Sequence, residues 1–193
     1  MSDNLEDFQN PLQSLLKLLA DGNIPHVLIG GLAVSQLSRP RLTADIDVLT
    51  YLDDDSVIPK LIESALSVGF SLRIREAEAF ARRNRVLLLI HDQTKIPVDL
   101  SLGLLPFERE VIERSSRTAA GHLQLPLPSV EDLIILKAVA HRAVDLLDIT
   151  SLVEAHPRLD RKRIDQFVGE FAEALEMPEI LEDVQAILDN AAS

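Results

Sequence analysis

Val27-Leu28-Ile29-Gly30-Gly31, followed after a short linker by Arg39-Pro40-Arg41-Leu42-Thr43-Ala44-Asp45-Ile46-Asp47-Val48-Leu49, is the stretch whose reading decides the fold. An apolar run stops at paired glycines, and a second apolar run carries two aspartates two positions apart. Strand side chains alternate between faces, so Asp45 and Asp47 are expected to point the same way, close to each other. Two like charges held that close call for a cation between them. The glycines fall at the turn between a strand over Ile24–Ile29 and a short helix over Leu32–Leu37. There, backbone N–H groups approach a phosphate closely and the helix dipole favours it.

Outward from this stretch, Leu5, Phe8, Leu12, Leu15, Leu16 and Leu19 have helical spacing, and Asp21-Gly22-Asn23 ends that helix. Asp45–Tyr51 reads as the next strand and Val57–Val68 as a helix ended by Gly69. Asp53-Asp54-Asp55 before it suits a helix start, where carboxylates satisfy free N–H groups; a metal role is the rival reading. Phe70–Ile74 reads as a strand and Ala77–Arg82 as a helical or looped insert. Arg85–Ile90 and Ile96–Leu102 are two strands joined by His91–Lys95. The second carries Asp99 among apolar residues, and a buried aspartate needs an ion or donors. Pro106–Arg114 is a short helix and Gly121–Pro128 an extended segment. Ser129 followed three residues on by Asp132 starts a helix over Val130–Arg142, and helices over Val144–Ala155, Arg161–Leu175 and Pro178–Asn190 complete the chain. The fold class is therefore α+β, with a core over residues 1–128 and a helical region over 129–193 packed on it.

Composition narrows the functions. The 193 residues are 47% hydrophobic and 26% charged, enough apolar surface for a globular core. There is no cysteine, so a metal must sit on oxygen or imidazole, which suits hard cations such as magnesium. The opening Met1-Ser2-Asp3-Asn4-Leu5-Glu6-Asp7 is acidic, and no apolar run reaches the roughly 20 residues of a membrane span; a cytoplasmic protein without membrane contact is expected. A net charge of −12 is the wrong sign for a broad phosphate-binding surface. Arg73, Arg75, Arg82, Arg83 and Arg85, with Arg39 and Arg41, are either a local basic patch or scattered solvated arginines. His26, His91, His122 and His156 show no metal spacing.

Gly30-Gly31, thirteen residues, Asp45-x-Asp47 and the later strand aspartate Asp99 together resemble the nucleotidyltransferase superfamily with the DNA polymerase beta-like fold. Val27–Val34 and Arg41–Leu49 are similar to the branch containing the AbiEii-type toxins and minimal nucleotidyltransferases, as are Ser129–Ala138 and Asp145-Leu146-Leu147-Asp148-Ile149. The resemblance runs from about Ile24 to Leu152. It implies a small mixed sheet flanked by helices, and transfer of a nucleoside monophosphate from a nucleoside triphosphate to a hydroxyl. That reaction displaces pyrophosphate at a charged phosphorus, so positioning and charge neutralisation do most of the work. The resemblance implies that Asp45 and Asp47 bind two Mg2+ ions, that Asp99 completes the site as ligand and proton acceptor, and that Gly30 and Gly31 cradle the triphosphate. Other members often carry serine where Gly31 stands, and Ser35, one helical turn on, is the candidate substitute.

Three further residues have competing readings. Lys137 stands where the branch carries a lysine, either meeting the triphosphate or solvated or held in a salt bridge. Arg41 and Thr43 touch nucleotide or acceptor, or Thr43 caps the linker. Asp145 and Asp148 share a helix face near His141 and Arg142, which points to an ion-pair network. A toxin–antitoxin enzyme acting on an RNA end such as tRNA or on a protein, with a cognate partner, is the leading expectation. A small-molecule, antibiotic-type acceptor and a catalytically inactive binding protein are the rivals.

Overall fold

The computed structural model describes residues 3–191, and side chains from Phe8 onward. The acidic opening and Leu5 therefore lie wholly or in part outside the described residues. Among the described residues there are nine helices and seven strands, an α+β chain as expected. Contacts divide it into two compact units: residues up to Leu32 with Leu42–Pro128, and Ala33–Arg41 with the residues from Ser129 on.

The first unit is built on a five-stranded mixed sheet. Helix α1 (Asp3–Asp21) leads into β1 (His26–Ile29), α2 (Gly30–Leu37) and β2 (Ile46–Tyr51). Then come α3 (Val57–Ser67), β3 (Phe70–Leu72), α4 (Ala77–Asn84), β4 (Val86–His91), β5 (Pro97–Gly103) and α5 (Pro106–Glu113). The strand order is β1-β2-β5-β4-β3. Strand β2 pairs parallel with β5, and the other neighbours are antiparallel. Strand alternation sorts the sheet residues cleanly: Ile46, Val48, Leu87, Leu89, Val98 and Leu100 are fully buried, while Asp47, Leu88 and Asp99 between them are half-exposed. Leu12, Leu15 and Leu19 give α1 its buried stripe at helical spacing.

Two features differ from the sequence expectation here. The glycine pair opens helix α2 rather than preceding it. Gly121–Pro128 is half of a hairpin, β6 (Ser116–Ala120) with β7 (Leu123–Leu127), turning through Gly121-His122 with Gly121 at φ +60°.

The second unit is helical: α6 (Val130–Ala140), α7 (Ala143–Ala155), α8 (Arg161–Leu175) and α9 (Glu179–Asn190). Ile164, Val168 and Ala172 on α8, and Ile180, Val184 and Leu188 on α9, recur every four residues and are buried. Ser129 caps α6 by accepting from the Asp132 N–H at 3.1 Å. The helix expected to run to Arg142 stops at Ala140, because His141 turns left-handed at φ 49°. Among the described residues no helix is long and apolar enough to cross a membrane.

Candidate active site

The β2–β5 pairing sets Asp47 directly beside Asp99, and the β4–β5 pairing sets Leu88 on the other side of Asp99. Register partners on adjacent strands project to one face. Asp47 and Asp99, 52 positions apart by their numbers, are therefore neighbours on the half-exposed face of the sheet. Asp45 lies one residue before β2 and accepts from the Thr43 hydroxyl at 3.0 Å, so Thr43 orients a carboxylate at the end of the linker. Burial pushes the Asp99 carboxyl above the ordinary carboxylate value; the Arg73 guanidinium pulls it down and the nearby Asp45 carboxylate pushes it up. Asp45 and Asp99 thus feel each other across the same space.

Gly30 closes this corner. The residue before it, Ile29, pairs with Asp47, and the Gly30 φ of +65° lies in the left-handed region that favours glycine. A Cβ at this position would fall 2.6 Å from Cγ and 2.7 Å from Cβ of Asp47. Only a residue without a side chain lets the backbone turn into α2 against the Asp47 side chain. Gly31 follows in the first turn of the same helix, a position where backbone N–H groups lack helical partners.

As a donor set, three carboxylates on one face fit a hard divalent cation. Among the described residues, however, no three His, Cys, Asp or Glu side chains converge closely enough to hold a metal ion as they stand. Arg73 forms an ion pair with Asp99. Its backbone N–H donates to Leu88 O at 3.1 Å, and Leu88 is the register partner of Asp99. The guanidinium therefore reaches across β4 to β5. No local pattern in the sequence marks this residue beyond its place among the arginines.

The candidates in the second unit are engaged differently. The Ser35 hydroxyl donates to Arg41 O at 3.1 Å and accepts from the Arg41 N–H at 3.2 Å, stapling the linker. Arg41 Nε lies 2.8 Å from Asp148 Oδ1 and Nη2 donates to Oδ2 at 3.0 Å. The Lys137 ammonium is buried, 2.9 Å from Asp145 Oδ1 and 2.9 Å from Asp148 Oδ2. Arg142 adds its backbone N–H at 3.1 Å and its Nε at 2.6 Å to Asp145 Oδ2. This is the ion-pair network that the helix-face spacing pointed to. Burial raises the Asp145 carboxyl, but the hydrogen bonds from Arg142 and Lys137 outweigh it and hold the group down at about 2.

The arginines of the suspected basic patch are largely opposed by acids. Besides Arg73, Arg85 pairs with Asp55 at 2.6 Å, Arg82 with Glu78 at 2.9 Å, and Arg39 with Glu154. In the acid cluster, Asp54 accepts from the Ser56 N–H while Asp55 and Asp53 face Arg85 and Arg109. Those carboxylates are thereby accounted for without a metal.

Similar architecture recurs in solved structures. An antigenic nucleotidyltransferase-like protein from Paracoccidioides brasiliensis matches with a TM-score of 0.55 at 16% identity, over 96% of this chain and 94% of its own. The lincosamide antibiotic adenylyltransferase LnuA, in its lincomycin-bound crystal structure, matches with a TM-score of 0.50 at 18% identity, over 75% of this chain and 95% of its own. At such identities these likenesses establish the fold alone. No curated protein matches the sequence. A family model described as "Nucleotidyl transferase AbiEii toxin, Type IV TA system" matches residues 15–192. That span takes in both units and every candidate site residue named above, and the chain belongs to the AbiEii nucleotidyltransferase family.

Proposed function

We propose that the chain is a metal-dependent nucleotidyltransferase that moves a nucleoside monophosphate from a nucleoside triphosphate to a hydroxyl. The observation that carries this reading is the corner formed by Gly30, Asp47 and Asp99, in which a side-chain-free turn opens a helix directly against Asp47, whose register partner is Asp99. In this reading Asp45, Asp47 and Asp99 would hold two Mg2+ ions. When bound, such ions neutralise charge on the triphosphate and on the attacking and leaving oxygens. The N–H groups of Gly30 and Gly31 receive phosphate oxygens at the start of α2. Thr43 keeps Asp45 facing the site. The acceptor hydroxyl oxygen forms a bond to the α-phosphorus, the bond from that phosphorus to the β-phosphate's bridging oxygen breaks, and pyrophosphate leaves. The hydroxyl proton passes to a carboxylate oxygen of Asp99, the register partner of Asp47.

Ser35 and Lys137 have smaller parts in this reading. The Ser35 hydroxyl fixes the linker ahead of Thr43. The ammonium of Lys137 is committed to two buried carboxylates, and a phosphate contact would compete with both. The acceptor is an RNA end or a protein hydroxyl, in keeping with a toxin whose partner is a cognate antitoxin. The net charge of −12 and the opposed arginines favour an acceptor that is not a long polyanion. The same feature supports a small-molecule hydroxyl as the second reading.

The test is incubation with Mg2+ and each labelled nucleoside triphosphate, offering total tRNA, lysate protein and a small-molecule extract separately. Label transfer that is lost in Asp45→Asn and Asp47→Asn supports the reading. Label that moves equally in wild type and both variants, or in none, overturns it in favour of an inactive binding protein.

A further inference from the structure

Arg73 lies outside the motif and yet holds one of its carboxylates. Its position follows from the sheet. The Arg73 N–H extends the β3–β4 pairing by one step to Leu88 O, Leu88 pairs with Asp99, and Asp99 pairs with Asp47. Four residues on successive strands thus form one row, and adjacent strands lie about 4.8 Å apart. An arginine two strands from Asp99 spans that distance in extended form. A shorter lysine would present a point charge without the planar fork that matches a carboxylate. Both partners of the pair are about one-third exposed, so water and ions reach it and the contact is reversible.

Resting on the metal reading of Asp45, Asp47 and Asp99 given above, we infer that Arg73 is a built-in counter-cation of that site. It holds Asp99 while no divalent ion is bound and yields Asp99 when one binds, so the chain's own guanidinium sets how tightly the site takes metal. The geometry gives the device a reason. Asp47 and Asp99 are register partners on adjacent strands, two carboxylates so placed repel, and a sheet that must fold before loading metal needs a positive charge in reach. Removing that charge leaves the repulsion to the incoming ion alone, which strengthens its binding. Arg73 is a positioning residue here: it acts on Asp99 and touches neither nucleotide nor acceptor.

The experiment is a Mn2+ titration of the full chain without nucleotide, read by the electron paramagnetic resonance of free Mn2+. Arg73→Gln is expected to bind Mn2+ about five- to tenfold more tightly than wild type, the size of one charge-assisted contact at a half-exposed site. In an Asp99→Asn background the same substitution is expected to change nothing, which separates the specific pair from general loss of positive charge. Arg75→Gln, which removes a neighbouring charge without contact to Asp99, is expected to stay within about twofold of wild type. Binding that Asp45→Asn weakens but Arg73→Gln leaves unchanged, or that Arg75→Gln strengthens equally, overturns the role of Arg73 and leaves the metal site standing. Failure of every variant and of wild type to bind Mn2+ overturns both.

Discussion

Two groups of aspartates in this chain solve opposite problems. Asp145 and Asp148, on helix α7, are 0% and 3% exposed, and their four oxygens are met by Lys137, Arg41 and Arg142. Asp45, Asp47 and Asp99, on the sheet, are half-exposed and near enough that Asp45 raises Asp99. A carboxylate taken out of water is tolerated only when cations and N–H groups replace the water, and the helical pair has that replacement built in. In the sheet group Asp99 meets an arginine and Asp45 a threonine hydroxyl, yet Asp45 still pushes the Asp99 carboxyl up. Carboxylates that a protein completes are framework. Carboxylates left in repulsion on an accessible face have room for an outside cation, and this difference separates the two groups better than sequence spacing does.

The most severe way to break the comparison is to treat the framework pair like a surface pair. Asp148→Ala removes the partner of both Arg41 and Lys137 from a buried site, and is expected to cost about 3–5 kcal/mol in urea unfolding. A loss under about 1 kcal/mol would mean the network is solvated in practice. Asp45→Asn reverses the pattern. Relief of repulsion is expected to leave the melting temperature unchanged or slightly raised, while nucleotidyl transfer falls about a thousandfold, the several kcal/mol a metal site supplies.

Acid distinguishes the groups by sign. Asp145 is held at about 2 against an ordinary value of 3.8, so its contribution is present above the ordinary carboxylate range and is lost as pH falls through it towards 2. The shift corresponds to about 2 kcal/mol. Asp99 is raised instead, so it takes up its proton at higher pH in the folded chain than in the unfolded one and opposes folding near neutrality. Unfolding free energies of wild type and Asp145→Asn should therefore converge as pH is lowered from 6 to 2. Parallel curves would place the stabilisation elsewhere.

How much of this was legible beforehand depends on the sequence distance over which each feature is encoded. The glycine turn, the paired aspartates and the apolar setting of Asp99 lie in short stretches, and their alternation predicts the face they occupy. The family resemblance added the chemistry. Strand β6 was missed because Ser116-Arg117-Thr118-Ala119-Ala120 has no large apolar alternation and is mostly exposed; only Gly121 marked its turn. The break after Ala140 was missed because His141, not glycine or proline, adopts the left-handed turn. The pairs Arg73–Asp99 and Arg41–Asp148 join residues 26 and 107 positions apart, and strand order and helix packing decide them rather than any local pattern.

The smallest expected effect is the sharpest, because it disturbs the sheet group without removing a charge. Gly30→Ala places a methyl group 2.6 Å from Cγ of Asp47 at φ +65°. Gly69→Ala meets nothing within 4 Å at φ +92°. Both carry left-handed strain of about 1–2 kcal/mol, and Gly30→Ala adds the clash with Asp47, so it should be the less stable of the two. Only the first pushes a carboxylate. If Asp47 must stand against the helix start for transfer to occur, Gly30→Ala should lose about a further tenfold in rate, since misplacement of a reacting group by about 1 Å costs up to a hundredfold. Gly69→Ala should keep wild-type rate at a temperature where both remain folded. Equal rates in the two variants would show that the glycine serves the turn alone, and that the packing of backbone against Asp47 has no part in the chemistry.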